Sequence, residues 1–344
     1  MSEDKILTIG IPVYNGSEYL RDTIVSIIEQ FQYINLSEIE ILISDNASTD
    51  STPSIVESFL KTNQNTFSYY RNEKNVGYDR NVDQIFKKAK GEYIEILGDD
   101  DYYKNSFCLA KIIELLKKNI QASVFLLTID LLDIPTNKLI EGFRVKEDLI
   151  CNDPDYFFSL TKWGTAAVSS LIIKKNNWNE IAMGKYFGTQ WIHVAAIINI
   201  LKKHPYAYII ADSMIVVRYR NARWEKNNGN QLELGLKHLD IFQELLMLGY
   251  KKETLDIFVE ERYNDNLQSI LTLKPHKIRD RVRVTRLMIK YFKYKTSFWL
   301  IHIPAMFLPK WIFEYIANIL ISIIEIPKKI IYKSKTKLKK IILK

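Results

Sequence analysis

The sequence predicts an α/β domain with a mainly parallel sheet flanked by helices, followed by a helical region. Three observations predict it. Short runs rich in β-branched residues alternate with segments of helical spacing through the N-terminal half. Three of those runs stop at polar, turn-forming clusters. From about Gln231 onward the apolar spacing is nearly all helical.

Ile6–Val13 reads as a buried strand ending at Tyr14-Asn15-Gly16. Leu20, Ile24, Ile27, Ile28 and Phe31 then follow helical spacing. Glu40–Ser44 is a second strand, ending at Asp45-Asn46-Ala47-Ser48-Thr49-Asp50. Thr52–Leu60 is a helix, with Ser51 as N-cap and Pro53 in its first turn. Phe67–Arg71 is a strand, Asn81–Ala89 a helix, and Tyr93–Leu97 a strand stopped by Gly98-Asp99-Asp100-Asp101. Such alternation with short connections implies parallel strands covered on both faces. Ser123–Leu132, Ala166–Ile173 and Tyr206–Tyr219 read as further strands, with a loop and helix over Tyr186–Leu201. The polar stretch Asn221–Asn230 marks the boundary, giving domains at 1–225 and 226–344.

The chain has 344 residues, a net charge of +8 and two cysteines, Cys108 and Cys151. Two distant cysteines make neither a metal-ligand pattern nor a disulfide framework, which fits a reducing compartment. Met1–Lys5 is polar and a strand follows at once, so no secretory signal is expected. The eight lysines between Lys328 and Lys344, with no acid among them, match the whole excess of charge. They adjoin the apolar segments Ser297–Pro309 and Trp311–Ile326. That placement points to a membrane surface and not to nucleic acid. Prolines and charges interrupt both segments, and neither is a clean run of ~20 apolar residues, the length a spanning helix needs. An interfacial helix pair with a basic tail is expected, at the cytoplasmic face of the membrane. The bland alternative is a buried helical core with a solvated tail.

Ligands of an open parallel sheet bind beyond the carboxyl ends of its strands. Pro12-Val13-Tyr14-Asn15, Asp45–Asp50 and Gly98–Asp101 all fall at such ends. Three adjacent aspartates repel one another in a partly buried site. A divalent cation relieves that repulsion, and Mg²⁺ or Mn²⁺ suits oxygen ligands. Mg²⁺ is usually held by one or two carboxylates plus substrate phosphates, so the cluster suggests a phosphate-bearing substrate. Taken alone, the triplet reads more simply as a solvated turn before a helix.

These motifs, in this order, resemble family 2 glycosyltransferases of the GT-A fold. The resemblance rests on Pro12-Val13-Tyr14-Asn15, on the Asp45–Asp50 turn, on Asn75-Val76-Gly77, and on Gly98–Asp101 in place of Asp-x-Asp-Asp. It is close over about Ile6 to Tyr103 and looser over Ser123 to Tyr219. It implies inverting sugar transfer from a nucleotide-sugar donor. Asp45 matches the carboxylate that recognises the base, Tyr14 an aromatic residue beside the base, and Pro12 a backbone contact near it. Asn15, Asn46, Ser48 and Gly77 belong to the same nucleotide-binding turns. Asp100 matches a residue near the ribose or diphosphate, and Asp101 the metal ligand. Gly98 stands where the family's first Asp is expected, with Asp99 available to compensate as a metal ligand. Arg80 is either a diphosphate contact or a surface helix arginine.

The family's general base usually sits in a Glu-Asp pair before a helix. The corresponding stretch, Tyr186 to His193, holds no carboxylate. With Ser169-Ser170-Leu171-Ile172-Ile173 it resembles an abequosyltransferase-like subgroup that builds O-antigens. His193 is then a candidate base or a structural helix histidine, and Asp212 an outside candidate. Arg218, Arg220, Arg223 and Trp224 form a basic cluster that could close over a diphosphate or meet acidic lipid. Trp163 is either a sugar platform or a core tryptophan. The expected acceptor is a lipid-linked saccharide held at the membrane. The rivals are an inactive, transferase-like membrane scaffold and a nucleotidyltransferase, the latter disfavoured because no Gly-rich phosphate loop follows the first strand.

Overall fold

The computed structural model describes residues 5–63, 66–219, 221, 231–273, 278–309 and 311–312. The chain forms two compact units, one of residues 1–228 and 237–258, the other of 229–236 and 259–344.

The first unit is built on one sheet. Its N-terminal half is β1 (Lys5–Val13), β2 (Ile39–Asp45), β3 (Phe67–Arg71) and β4 (Gly91–Ile96), all parallel, in the order β3-β2-β1-β4. Helices α1 (Leu20–Ile28), α2 (Thr52–Asn63) and α3 (Tyr78–Lys88) make the crossovers. The strands read as apolar runs because both faces are covered: Leu7, Ile9, Ile11, Ile41 and Ile43 are all buried. Leu20, Ile24 and Ile27 of α1 pack into the same core. The expected strands and helices of this half are all present.

Beyond β4 the sheet is mixed, which corrects the expectation of a mainly parallel one. The chain runs through β5 (Tyr102–Tyr103), α4 (Cys108–Lys118), β6 (Val124–Asp133), β7 (Lys138–Glu141), β8 (Leu149–Cys151) and α5 (Pro154–Thr161). Then come β9 (Leu171–Lys174), α6 (Lys175–Asn179), α7 (Ile192–Lys203) and β10 (Ala207–Tyr219). The full order is β3-β2-β1-β4-β9-β6-β10-β5, with β7 beside β6 and β8 beside β10. β9 is antiparallel to both β4 and β6. Of the run Ala166–Ile173 only the part from Leu171 is strand, continuing to Lys174; Lys162–Ala166 and Val168–Ser170 form 3₁₀ turns instead. Apolar composition alone does not separate a strand from a buried turn.

α8 (Gln231–Phe242), α9 (Glu244–Met247) and α10 (Lys252–Leu273) follow. Phe242 and Phe258 stack 3.7 Å apart in the first unit and pack against Phe158 and Trp163. Trp163 is therefore an aromatic-core residue, the second of its two readings. In the second unit, α11 (Ile278–Phe292) and α12 (Ile303–Phe307) bury Val284, Met288, Phe292, Ala305 and Met306. No helix among the described residues is long and apolar enough to cross a membrane. Arg220, Arg223, Trp224, all of Trp311–Ile326 beyond its first two residues, and the lysine-rich tail lie outside the described residues.

Candidate active site

The parallel half places four strand ends on one edge of the sheet. β1 pairs with β2 as far as Val13↔Asp45, but with β4 only as far as Gly10↔Ile96. The Gly10 carbonyl takes the Leu97 N–H at 3.0 Å, so Pro12, two residues on, faces the same side after β4 has left the ladder. A proline there gives up no ladder bond. The strand order also reverses between β1 and β4, which is where open α/β sheets bind ligands.

Hydrogen bonds lace the loops at this edge together. Asn15 donates its N–H to Ser48 Oγ at 2.9 Å, and its Oδ1 accepts the Thr49 N–H at 2.8 Å. Asn15 and Ala47 both have positive φ, +52° and +62°, so these turns are held by side-chain bonds against backbone preference. Asn46 Oδ1 accepts the Val76 N–H at 2.8 Å, and its Nδ2 donates to Asn75 Oδ1 at 2.9 Å. The turn ends at Gly77, whose φ of +87° suits glycine, and α3 begins there. Pro12, Asn15, Asn46, Ser48 and Gly77 are thus brought together in one loop cluster, with Tyr14 half-buried at the end of β1.

Asp45 is fully buried. Its Oδ1 accepts the Ser48 N–H at 2.8 Å, while Oδ2 accepts the Tyr69 hydroxyl at 2.7 Å and pairs with Arg71 Nε at 3.3 Å. Tyr69 and Arg71, both on β3, were not singled out by the sequence. Nothing local marks them, because their role comes from the β2–β3 register that sets Asp45 opposite Arg71.

The acidic turn follows β4. Asp101 is buried, and its Oδ2 accepts Ser169 Oγ–H at 2.5 Å. Its Oδ1 accepts the Arg218 N–H at 3.1 Å. Burial, and then the charge of Asp100, push Asp101 up to about 8. Asp99 is also buried. Asp100 Oδ2 accepts Asn221 Nδ2–H at 2.9 Å, and its carbonyl accepts from the Arg218 guanidinium at 2.5 Å. Arg218 lies between the rings of Tyr19 and Tyr102, at 4.6 and 4.8 Å, and reaches Asp22 at 2.9 Å. Its side chain is only 9% exposed. Within the basic cluster Arg218 therefore turns inward and braces the acidic turn.

Gly98 has a spatial reason. It donates its N–H to Ser169 Oγ at 2.9 Å, and a Cβ there would stand 2.9 Å from Asp101 Oδ2 and 3.2 Å from Asp100 Oδ1. A side chain at this position collides with the carboxylates it would join. The residues present nonetheless fit a divalent cation: Asp99 and Asp101 set two buried carboxyl groups on one turn, the oxygen donors such an ion takes. Among the described residues, no set of three or more His, Cys, Asp or Glu side chains encloses a metal-sized centre. That donor set matches an ion that shares its shell with phosphate oxygens.

The two candidate bases are placed differently from the acidic turn. Asp212 is a correction. It sits at the bulge of β10, its side chain is 68% exposed, and it forms a surface ion pair with Lys111 of α4 at 2.5 Å. Six residues of strand, roughly 20 Å, separate it from Arg218 at the acidic turn. His193 lies in the first turn of α7, 3% exposed. Its Nε2 is 3.2 Å from the Ala166 carbonyl, and its Nδ1 has no hydrogen-bond partner. Burial pulls it down to about 4, so the imidazole is neutral near pH 7. It packs edge-on to Tyr78, ring centroids 6.4 Å apart, so the structural reading fits its surroundings.

Asp79 is a further residue that the sequence did not single out. Its Oδ2 accepts the N–H groups of Gly188 and Gln190 at 2.8 and 2.9 Å, and Oδ1 that of Ile192 at 3.3 Å. It thereby fixes the loop before α7, where the family base was expected. Arg80 is exposed, with its guanidinium 4.6 Å from the centre of the Phe187 ring. At Tyr78 burial first, then the charge of Asp79 and of the three aspartates of the turn, push the hydroxyl upward.

This fold, with an acidic turn at the switch point of a mixed α/β sheet, is of the GT-A class. A fragment of S. aureus TarS in complex with UDP-GlcNAc superposes with a TM-score of 0.62 at 16% identity, over 84% of this chain and 81% of that one. The mannosyltransferase PcManGT from Pyrobaculum calidifontis, in complex with GDP-Man and Mn²⁺, gives 0.56 at 14% identity, over 92% and 80%. The chain belongs to glycosyl transferase family 2, whose model matches residues 8–156. It is 31% identical over 236 residues to the abequosyltransferase RfbV of Salmonella typhimurium, covering 64% of this chain and 69% of that one. It is a glycosyltransferase.

Proposed function

We propose that the chain transfers a sugar, with inversion, from a nucleotide-diphosphate donor to a lipid-linked saccharide during surface-polysaccharide synthesis. The observation that carries the donor half is that the laced β1 and β2 loops and the acidic turn after β4, with Asp99 and Asp101 buried, lie at the same edge of the sheet's parallel half. Mg²⁺ or Mn²⁺ held by Asp101 and Asp99 would supply charge stabilisation to the departing diphosphate. The protein's own part is positional. Ser169 and the Arg218 backbone hold Asp101, Asn221 holds Asp100, and the laced Asn15–Ser48 and Asn46–Asn75 turns shape the nucleotide side. The PcManGT complex with Mn²⁺ and the TarS complex with UDP-GlcNAc support a metal and a nucleotide-sugar by likeness of fold.

The acceptor half rests on RfbV and on the second unit. Tyr294, Trp299, Leu300 and Trp311 are exposed there, and Lys293 lies over the Tyr294 ring. Exposed aromatics beside cations suit the headgroup level of a cytoplasmic leaflet. Flotation with phosphatidylcholine vesicles, with and without phosphatidylglycerol, tests this part. Binding that needs the anionic lipid supports it, and no binding to either sinks it.

The donor half is tested by thermal shift with UDP-, CDP-, GDP- and dTDP-sugars, with and without Mn²⁺, on wild type and Asp101→Ala. A ligand at 100 times its Kd adds ~2.7 kcal/mol. Metal-dependent stabilisation by one nucleotide, lost in Asp101→Ala, is the expected result. No stabilisation by any of them would leave the scaffold reading in its place.

A further inference from the structure

Between the turn that starts α3 and the loop that precedes α7 lies a pocket of about 130 Å³, lined by Val76, Gly77, Tyr78, Arg80, Gly188 and Gln190, with Asp79 at its wall. It adjoins the laced loops at the strand ends through Val76, whose N–H is held by Asn46 Oδ1 at 2.8 Å.

One wall of this pocket is held against its own backbone preference. Gln190 has a φ of +66°, a region that glycine enters freely and a glutamine does not. Gly188, two residues earlier, has a φ of +91° and is a glycine. The Asp79 carboxylate fixes both residues through their N–H groups. A glycine at 190 would satisfy the backbone equally well, so the geometry of the loop does not call for glutamine. What glutamine adds is an amide on the pocket wall that can donate and accept at once. Strain retained where a simpler residue would remove it points to use of the side chain.

We propose that this pocket receives the sugar ring of the nucleotide-sugar donor, and that Gln190 reads its hydroxyl groups. Arg80, stacked on Phe187, supplies a second set of donors on the same wall. Asp79 is the positioning residue that holds Gln190 in place. The pocket shares Val76 and Gly77 with the turn that Asn46 holds on the nucleotide side, so a ring seated there would neighbour the bound nucleotide. This assignment rests on the proposed donor chemistry and adds to it the residue that selects the sugar.

The test uses Gln190→Gly, which keeps the positive φ and removes only the amide. Its Tm is expected to equal or exceed that of wild type. Binding is measured by calorimetry in Mn²⁺ with UDP, CDP, GDP and dTDP, and with a glucosyl, galactosyl, mannosyl or N-acetylglucosaminyl sugar on each nucleotide. The expected result is unchanged affinity for the bare diphosphate and at least a tenfold loss for the sugar-bearing ligand that wild type prefers. Gln190→Asn, which tolerates positive φ and keeps a shorter amide, should recover part of the loss. Equal binding of the preferred nucleotide-sugar by wild type and Gln190→Gly overturns the pocket assignment alone. So does an equal loss for diphosphate and nucleotide-sugar. No binding of any nucleotide by wild type overturns the donor reading and the pocket with it.

Discussion

Asp79 Oδ2 accepts the N–H of Gln190 at 2.9 Å across 111 residues of sequence. The same oxygen takes the Gly188 N–H, and Oδ1 the Ile192 N–H, so one buried carboxylate ties the first turn of α3 to the entry of α7. Asp79→Ala leaves three backbone donors without an acceptor and releases Gln190 from its positive φ. An unsatisfied buried polar group costs about 1–3 kcal/mol, and the set is expected to lose about 2–4 kcal/mol in urea unfolding. A change below about 0.5 kcal/mol would mean that the loop holds itself.

The Gly98 position allows a sharper test, because the contact is steric. A Cβ there meets Asp101 Oδ2 at 2.9 Å and Ser169 Oγ at 3.3 Å. Gly98→Ala should therefore displace the Asp101 carboxylate while leaving the apolar core alone. Metal-dependent stabilisation by nucleotide is expected to fall at least tenfold in affinity, with a Tm within about 3 °C of wild type. Gly98→Asp, which restores the family's usual letter, should do no better. Recovery of tighter binding in Gly98→Asp would show that the turn has room the geometry denies.

Much of this site was legible in the sequence, and the rest was hidden for identifiable reasons. The three polar clusters at strand ends were visible because a β-branched run stopped by Asn, Asp or Gly is a local signal. The structure brings those clusters to one edge through parallel pairing alone. Asp79 was invisible because its partners lie more than 100 residues away and are backbone groups, which carry no letter of their own. Ser169 belonged to a legible stretch, but its bonds to Gly98 and Asp101 follow from the placement of β9 beside β4. The insertion of an antiparallel β9 was likewise unreadable, since strand direction is a tertiary property. Asp212 misled because a carboxylate on a strand looks the same whether it faces a site or a surface lysine.

The placement of the two candidate bases gives a paired prediction. Asp212→Asn should leave turnover within about twofold of wild type, since surface ion pairs contribute only about 0–1 kcal/mol and this one lies off the site. His193→Gln keeps a side-chain donor for the Ala166 carbonyl and removes the imidazole. It should retain turnover within about tenfold, the behaviour of a residue that supports Tyr78 and the α7 entry. General bases typically contribute 10²–10⁴-fold, so a loss of that size at unchanged Tm would return His193 to the chemistry.

Glu95 supplies a prediction about pH. It is buried beneath the acidic turn, and its Oε2 accepts the Tyr103 hydroxyl at 2.6 Å. Its Oε1 has no partner. Burial pushes this carboxyl up to about 8 from an ordinary value of 4.5. The folded chain therefore keeps the proton through a range in which the unfolded chain has lost it. Stability falls wherever the folded state binds more protons as pH rises, so this group costs progressively more from about pH 4.5 to about pH 8 and a constant amount above. Glu95→Gln carries no such charge and still offers an oxygen to Tyr103. Its Tm should match that of wild type near pH 4.5 and exceed it by about 2–4 °C or more at pH 9, taking each kcal/mol as worth about that much in a domain of this size. Parallel Tm curves from pH 4.5 to 9 would mean that Glu95 ionises in place, with a cation moving to meet it.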